Sequence, residues 1–357
     1  MNKIRDKYAL MVKRCSWTKR ALQSQPPRIE LLHARAPESP VALPEFVKSM
    51  EGPAYIEPEY GYIITAGGRL IEEAIAPQIP HKSSWRMGLP STHSIDAMIK
   101  DPARIVYYPT VVSLRHWWEW NYYHFHLDVL GKLRLLHDIG IDDEIPIALG
   151  RYVREKSFAE QILTQGKLAK RHWIVPDIDN RTIIRADRIV YCRTQQSFMK
   201  RLSFLTEEMC APDPVIDSSE RIYLTRKPPA PRRILNEEEI ECVFRRHGFH
   251  TVDTDGMAMS EQIALFSRVR YLAAIHGAGL TNIIYRRGAP LSVLEMHARN
   301  YRPPCMSDMC QEFGYDHQAL DGDPEPGDPQ NASFVLSPER LEAALRDMVP
   351  NRAECVR

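Results

Sequence analysis

Apolar residues in this chain fall into short runs separated by stretches of helical spacing. In the C-terminal half, residues 221–225 (RIYLT), 249–252, 271–275 and 291–296 have the length and composition of buried parallel strands. Helix signals lie between them. Residues 237–246 follow a candidate N-cap, Asn236, carry Glu237, Glu238 and Glu239 in the first turn, and end at Gly248. Ser260 is a candidate cap for 261–268. Residues 278–286 place Leu280, Ile283 and Ile284 at helical spacing and are stopped by Arg287-Gly288-Ala289-Pro290. This β-α-β-α-β-α-β order predicts a doubly wound sheet whose ligand sits at the C-terminal ends of the strands.

The N-terminal half alternates less regularly. Strand signals at 145–149, 173–175 and 188–191 are interleaved with helical ones at 156–167 and 203–209. Tyr122, Phe125, Val129, Leu133 and Leu136 predict a helix over 121–137 with Asn121 as its cap. Residues 37–110 are proline-rich with short β-prone runs at 60–65, 69–74 and 104–108, an irregular β-rich entry region. Residues 303–329 read as irregular, and Ser337 caps a last helix over 338–349. Polar turn clusters at 212–214 and 217–219 mark a boundary. The resulting division is 1–110, a basic segment and entry region within the N-terminal domain; 111–212, the regular part of that domain; 213–336, a second domain; and 337–357, helix and tail.

Composition narrows the class. The 357 residues suffice for two domains, and 44% hydrophobic with 26% charged residues is the balance of a globular protein. A net charge of +1 gives no global attraction to nucleic acid. Seven scattered cysteines without CxxC pairs speak for reduced thiols and against a zinc or disulfide framework. The sequence has no apolar run long enough for a membrane span and no signal-peptide h-region, so a cytoplasmic protein is expected. Residues 1–22 carry Lys3, Arg5, Lys7, Lys13, Arg14, Lys19 and Arg20 against Asp6. They read either as a basic helix on the inner face of a membrane or as a solvated terminal segment.

Candidate chemistry clusters in two stretches. His276, Gly277, Ala278 and Gly279 form a strand-to-helix junction whose small residues let a ligand approach the backbone. The helix start behind them, through Leu280, offers N–H donors to a phosphate. Arg226 sits just past a strand end, with Arg232 or Arg233 able to join it on a diphosphate. Glu295 ends a strand on the same rim, where an acid accepts from ribose or sugar hydroxyls; Thr281 and Asn282 lie one turn into the helix. In the other half His124 and Asp128 stand four apart, on one helix face, with His126 on another. Either is a candidate general base, with Asp128 first. Asp-x-Asp triplets at Asp177/Asp179, Asp253/Asp255 and Asp321/Asp323 raise a divalent-metal alternative, but no metal or other cofactor is expected. The junction lacks the third glycine of a dinucleotide fingerprint, which disfavours an oxidoreductase.

The unit His276-Gly-Ala-Gly-Leu-Thr-Asn with Glu295 behind it resembles the signature of glycosyltransferase family 61. Asn121, His124 and Asp128 match that family's Asn-x-x-His-x-x-x-Asp motif, and Tyr-Leu-Thr-Arg at 223–226 and Arg-Arg-x-x-Asn-Glu at 232–237 follow in family order. The resemblance covers about residues 115–297. It implies an inverting, metal-independent enzyme of GT-B type, with two Rossmann-like domains facing a cleft. Such an enzyme would move a sugar from a nucleotide-sugar donor to a glycan or lipid-linked saccharide in surface polysaccharide biosynthesis. The donor would sit on the second domain, and the acceptor would meet Asn121, His124 and Asp128. A bacterial member is expected. The rival on the same fold is a non-catalytic nucleotide- or glycan-binding protein.

Overall fold

The computed structural model describes residues 26–36, 44–58, 61–71, 74, 101–116, 118–176 and 182–349. The basic segment 1–22, Tyr60, Trp117 and the Asp177/Asp179 triplet lie outside the described residues. The chain divides into two compact units after Gln196. This falls earlier than the polar break at 212–219. The reason is that helix α4 (Phe198–Glu208) packs on elements of the second unit, and Val215 N–H donates to Ser267 O (3.0 Å).

The first unit is built on one seven-stranded sheet. Its strands are β1 (Arg28–Arg35), β2 (Glu45–Ile56), β3 (Ile63–Thr65), β4 (Ile105–Ser113), β5 (Ile147–Ala148), β6 (Trp173–Ile174) and β7 (Ile183–Arg193). The order is β1-β2-β7-β4-β5-β6, with β3 on β2. β7, β4, β5 and β6 run parallel, whereas β2 is antiparallel to β1, β3 and β7. The sheet is therefore mixed, not the all-parallel Rossmann-like sheet expected. The β-rich entry region completes it: Met50, Ala54 and Ile63 share a core with Val111, Ala148 and Ile189. Of the strand expected over 69–74, the described residues contribute a bridge, Ile64 to Leu70; residues 72 and 73 lie outside the described residues.

The helix expected over 121–137 has three parts. These are α1 (Tyr122–His124), a π-helical stretch (Phe125–Leu130) and α2 (Lys132–Asp138). Asn121 Oδ1 caps the start, accepting from the N–H of Tyr123 (3.0 Å) and His124 (3.3 Å). The wide turn closes where Gly131 N–H donates to His126 O (2.8 Å). A Cβ on residue 131 would stand 2.2 Å from Leu127 O, so glycine permits the return to α geometry. Helix α3 (Ser157–Leu163) follows β5.

The second unit alternates as its hydrophobic pattern predicts: β8 (Glu220–Leu224), α5 (Glu237–Arg246), β9 (His250–Val252), α6 (Met259–Phe266), β10 (Val269–Ile275), a 3-10 segment (Ala278–Arg286) and β11 (Ser292–Ala298). Then come α7 (Cys305–Phe313), β12 (Asp316–Pro324), β13 (Phe334–Val335) and α8 (Pro338–Met348). The region read as irregular thus holds a helix and a nine-residue strand. The sheet order is β13-β12-β11-β10-β8-β9, parallel except for β13. Counted from β8, its five parallel strands lie in the order 2-1-3-4-5, a doubly wound sheet with its switch point between β8 and β10. Every residue of β11 is buried, as a central parallel strand requires. Tyr223, Phe244, Leu294, Met296, Leu341 and Leu345 share one core, which seats α5 and α8.

Three local expectations change. Residues 278–286 form a 3-10 helix, not an α-helix. A period of three aligns Leu280, Ile283 and Arg286, and the fully buried Arg286 guanidinium donates to the carbonyls of Val215, Ser267 and Pro290. Asn236 does not cap α5 with its side chain, which instead bonds both backbone groups of Leu336 and so ties the link between β13 and α8 to the start of α5. Ser260 lies inside α6, whose first N–H, at Ala258, is met by Glu261 Oε2 (3.0 Å). Ser337 does cap α8, accepting from Arg340 N–H (3.2 Å).

Candidate active site

In the first unit, the segment after β4 turns beneath α1 and brings His116 against His124. The two imidazoles stack at 5.4 Å between centroids, and Trp118 covers His124 at 4.9 Å. His124 Nδ1 and Asp128 Oδ2 lie 2.7 Å apart, so the side chains expected to share a face are bonded directly. Trp118 N–H donates to His116 Nδ1 (3.2 Å), which leaves the proton of a neutral imidazole on Nε2, 3.9 Å from the same Asp128 oxygen. Burial depresses His116 to about 3 despite the nearby Asp128 charge, so it is neutral at physiological pH. His126 lies on the far side of the turn, fully buried. There it donates from Nδ1 to Tyr122 O (2.7 Å), and burial lowers it to about 4. It supports the π-helical turn and does not reach the His124–Asp128 pair.

The loop is held from below. Buried Arg115 grips Glu119 with Nε and Nη2 and donates to the carbonyls of Glu57 and Pro58; Glu119 also accepts from Gly150 N–H. Lys132 spans from α2 to the carbonyls of Leu114 and Arg115. Removing either partner of the buried Arg115–Glu119 pair would strand a charge, so the loop depends on both.

In the second unit, the C-terminal ends of β8 and β10 meet at the switch point. Arg226, just past β8, lays its guanidinium across Gly277, just past β10: a Cβ on residue 277 would stand 1.8 Å from Arg226 Nη2. That close approach is what Gly277 is needed for, since its backbone is extended (φ 162°). Arg226 also donates to Pro231 O (3.2 Å). Burial and the neighbouring Arg232 charge bring Arg226 down to about 10, still cationic at neutral pH. Arg232 adopts a left-handed backbone (φ 60°), lies over the Tyr301 ring at 5.9 Å, and keeps a buried Nε without a partner. Among the described residues neither Arg226 nor Arg232 has a carboxylate within ion-pair distance. The bonded turn behind Gly277 begins with Leu280 N–H to Gly277 O (3.0 Å), so the N–H groups of Ala278 and Gly279 have no acceptor within that helix.

Glu295 is placed differently from expectation. It is 1% exposed and enclosed by imidazoles. His276 Nδ1 lies 2.6 Å from Oε1; His317 Nε2 and His297 Nε2 lie 2.8 and 3.3 Å from Oε2. Burial pushes this carboxyl up, yet the three imidazole hydrogen bonds outweigh it and hold Glu295 below the usual carboxylate range. It therefore touches the switch point only through His276, and is not a rim acid open to a sugar.

The remaining residues sort clearly. Leu280, Thr281 and Asn282 are buried; Asn282 donates to Gln262 Oε1 (3.2 Å), and Thr281 Oγ1 has no partner. These three support the turn from behind. Arg233 and Arg226 line an open cleft of about 560 Å³ with Thr225, Asn236, Glu237 and Glu238. That cleft adjoins the switch point but includes neither His276 nor Gly277. Asp253 is engaged by Asp255 N–H, and Asp321 and Asp323 pair with Arg302 and Arg299. Among the described residues two groups lie close enough to share a metal ion, His116–His124–Asp128 and His276–Glu295–His297. In the first, the Nδ1 contact leaves Nε2 of His116 protonated; in the second, nitrogens facing an ionised carboxylate carry N–H donors. Both arrangements are hydrogen-bonded within themselves.

Sequence reasoning missed His116, Lys132, His297 and His317. His297 had a signal, being two residues from Glu295 on one strand and so on the same sheet face. His317 had none, since only the register of β12 beside β11 brings it to Glu295.

Residues 122–294 match the model of the family described as Glycosyltransferase 61, which supports a glycosyltransferase. The match runs from the helix that carries His124 and Asp128 to the strand that carries Glu295. No curated protein matches the chain. Among the described residues no helix is long and apolar enough to cross a membrane.

Proposed function

We propose that this protein transfers a sugar from a nucleotide-sugar donor to a saccharide or lipid-linked saccharide acceptor, as a GT-B-type, inverting enzyme that works without a metal ion. The observation that carries the reading is the Arg226 guanidinium lying on Gly277 at the switch point, with Arg232 beside it and no carboxylate paired to either among the described residues. Two partly desolvated cations at the end of a doubly wound sheet suit a diphosphate, and they would stabilise the charge that develops as it leaves. The adjoining cleft lined by Arg233 and Asn236 offers room for the rest of the nucleotide. Asp128, held by His124, takes the proton from the acceptor hydroxyl; in the alternative assignment His124 is the base and Asp128 orients it. Asn121 places both by capping their helix. Surface-polysaccharide synthesis in a bacterial cytoplasm is the setting proposed.

A thermal-shift series with nucleoside diphosphates and nucleotide-sugars tests the donor site. At 100 times Kd a ligand adds about 2.7 kcal/mol to the folded state, a shift of several degrees. A response to one base is expected, unchanged by a chelator. No response to any nucleotide would sink the reading, and a response that chelation abolishes would sink its metal-free part.

A further inference from the structure

We propose that Glu295 is a positioning residue for His276: it fixes the ring with Nδ1–H toward itself and Nε2 toward the leaving diphosphate, and lets His276 hold a second proton once that diphosphate is bound. The inference rests on the donor-site reading above. Three imidazoles around one buried carboxylate is more than solubility or packing asks for. Glu295 is ionised and can only accept, so His276 Nδ1, His317 Nε2 and His297 Nε2 must each carry a hydrogen. The buried Nδ1 of His297 has no partner, as suits the lone pair of a neutral ring with its proton on Nε2. The cage then carries one negative charge at a site flanked by Arg226 and Arg232.

His276 is the member of the cage at the switch point. Its backbone N–H is tied to Met296 O (2.9 Å), its ring stacks on His297 (5.3 Å) and meets the edge of Tyr301 (5.8 Å), and Gly277 with the Arg226 guanidinium follows directly. Among the described residues Nε2 has no protein partner, and it is not one of the buried unpartnered atoms, so this is the ring position open to a ligand. The groups facing the ring are Glu295 and His297 from β11, His317 from β12 through Glu295, Arg232 and Arg226 from the loop after β8, and Tyr301, with Cys305 of α7 close to Glu295. Without ligand, burial and the neighbouring His297 and Arg232 hold His276 low and neutral, against the pull of Glu295. A bound diphosphate adds negative charge on the Nε2 side. The ring then lies between two anions, and a proton drawn from solvent settles on Nε2 and stays there as a hydrogen-bond donor. In the transfer step the bond from the sugar to the diphosphate oxygen breaks with its electron pair going to that oxygen, and the imidazolium N–H is already aimed at the charge.

Calorimetric titration with uridine, guanosine and cytidine diphosphates at pH 7.5, in two buffers of different ionisation enthalpy, reads the proton. The wild type is expected to take up protons on binding. Glu295→Gln and His276→Gln should still bind, about tenfold or more weakly, the worth of a charge-assisted hydrogen bond, and lose the uptake. Uptake that persists in Glu295→Gln, or wild-type binding without uptake, overturns the proposal and leaves the donor-site reading standing. Failure of the wild type to bind any of the three overturns both. If Glu295→Gln does not fold, histidine ¹⁵N spectra of the wild type decide, with the His276 signal assigned by His276→Gln. The Nδ1–H tautomer that becomes doubly protonated with nucleotide is expected, and the opposite tautomer refutes the idea.

Discussion

Each unit sets a carboxylate among histidines, and the two settings are opposites. The Asp128 side chain is 15% exposed, has one short imidazole contact at 2.7 Å and a second at 3.9 Å, and sits on a π-helical turn. The Glu295 side chain is 2% exposed, has three imidazole contacts within 3.3 Å, and sits in the middle of a sheet. A carboxylate that reaches solvent and is oriented by one histidine can exchange a proton with a substrate. One whose oxygens are already committed can only act on a neighbour. On the proposed reading the same residue types divide into a reacting group and a supporting one, and the difference lies in what surrounds them.

The sharpest way to break this contrast is Asp128→Asn. Asparagine keeps the size and can still meet His124, but it cannot accept a proton. Turnover is expected to fall about 10²- to 10⁴-fold, the usual worth of a general base, with the melting temperature nearly unchanged. The check is the initial rate of nucleoside diphosphate release with acceptor present. A wild-type rate would remove Asp128 from the chemistry. A larger loss in His124→Gln than in Asp128→Asn would exchange their roles.

The two units should also differ in their response to acid. Burial lowers His126 to about 4 and His116 to about 3 in the folded state, against roughly 6.5 unfolded. Folding therefore favours the neutral rings. That contribution is complete above about pH 6.5 and is lost as pH falls toward the folded values. Glu295 is also depressed, but from an ordinary carboxylate value, so its contribution survives until pH falls below about 4. Between pH 7 and 5 the first unit should lose roughly 2 kcal/mol for each of the two histidines, while the second loses none from Glu295 and a contribution only from His276, which burial also holds low. Urea unfolding at the two pH values, followed by hydrogen exchange in each unit, measures the split. His126→Gln should remove about half of the first unit's acid sensitivity; an unchanged slope would mean that this ring is not held neutral.

How far these arrangements are legible in the sequence depends on whether the contact is local. The second unit's strands from β8 to β11 and its switch-point turn follow from period and from glycine placement, because a buried parallel sheet imposes both over a few residues; β12, in the polar stretch read as irregular, does not. Asn121, His124 and Asp128 are three to seven positions apart, and helical spacing brings them together. What sequence reasoning does not reach is set by long-range pairing. β2 becomes an interior antiparallel strand only by pairing with β7, far along the chain, and His317 meets Glu295 only through sheet register. The π-helical turn escapes too: Tyr122, Phe125 and Val129 satisfy an ordinary α period, and the wider turn shows in the structure, as in the Gly131 to His126 bond. The surroundings of Glu295 escape as well, because a strand-end acid normally faces the ligand, whereas here three histidines from other positions enclose it.

The smallest expected effect probes the other wall of the contrast, where support meets ligand. Gly277→Ala places a methyl group 1.8 Å from Arg226 Nη2 and 2.6 Å from its Cζ. Residue 277 is extended, a conformation alanine adopts freely, so the conflict is with the guanidinium alone. That group is the far end of a flexible side chain and can swing away, so the fold should hold within about 1 kcal/mol. The diphosphate would lose its best-placed cation, and nucleotide affinity should fall about tenfold. Gly279→Ala is the control: its methyl would meet Leu224 Cδ2 at 3.0 Å, a contact that does not touch Arg226. Because both changes act on one guanidinium, Gly277→Ala combined with Arg226→Ala should bind no more weakly than Arg226→Ala by itself. If the two losses add instead, Gly277 contributes to the anion through its own backbone, and the turn, not the arginine lying on it, is the principal phosphate contact.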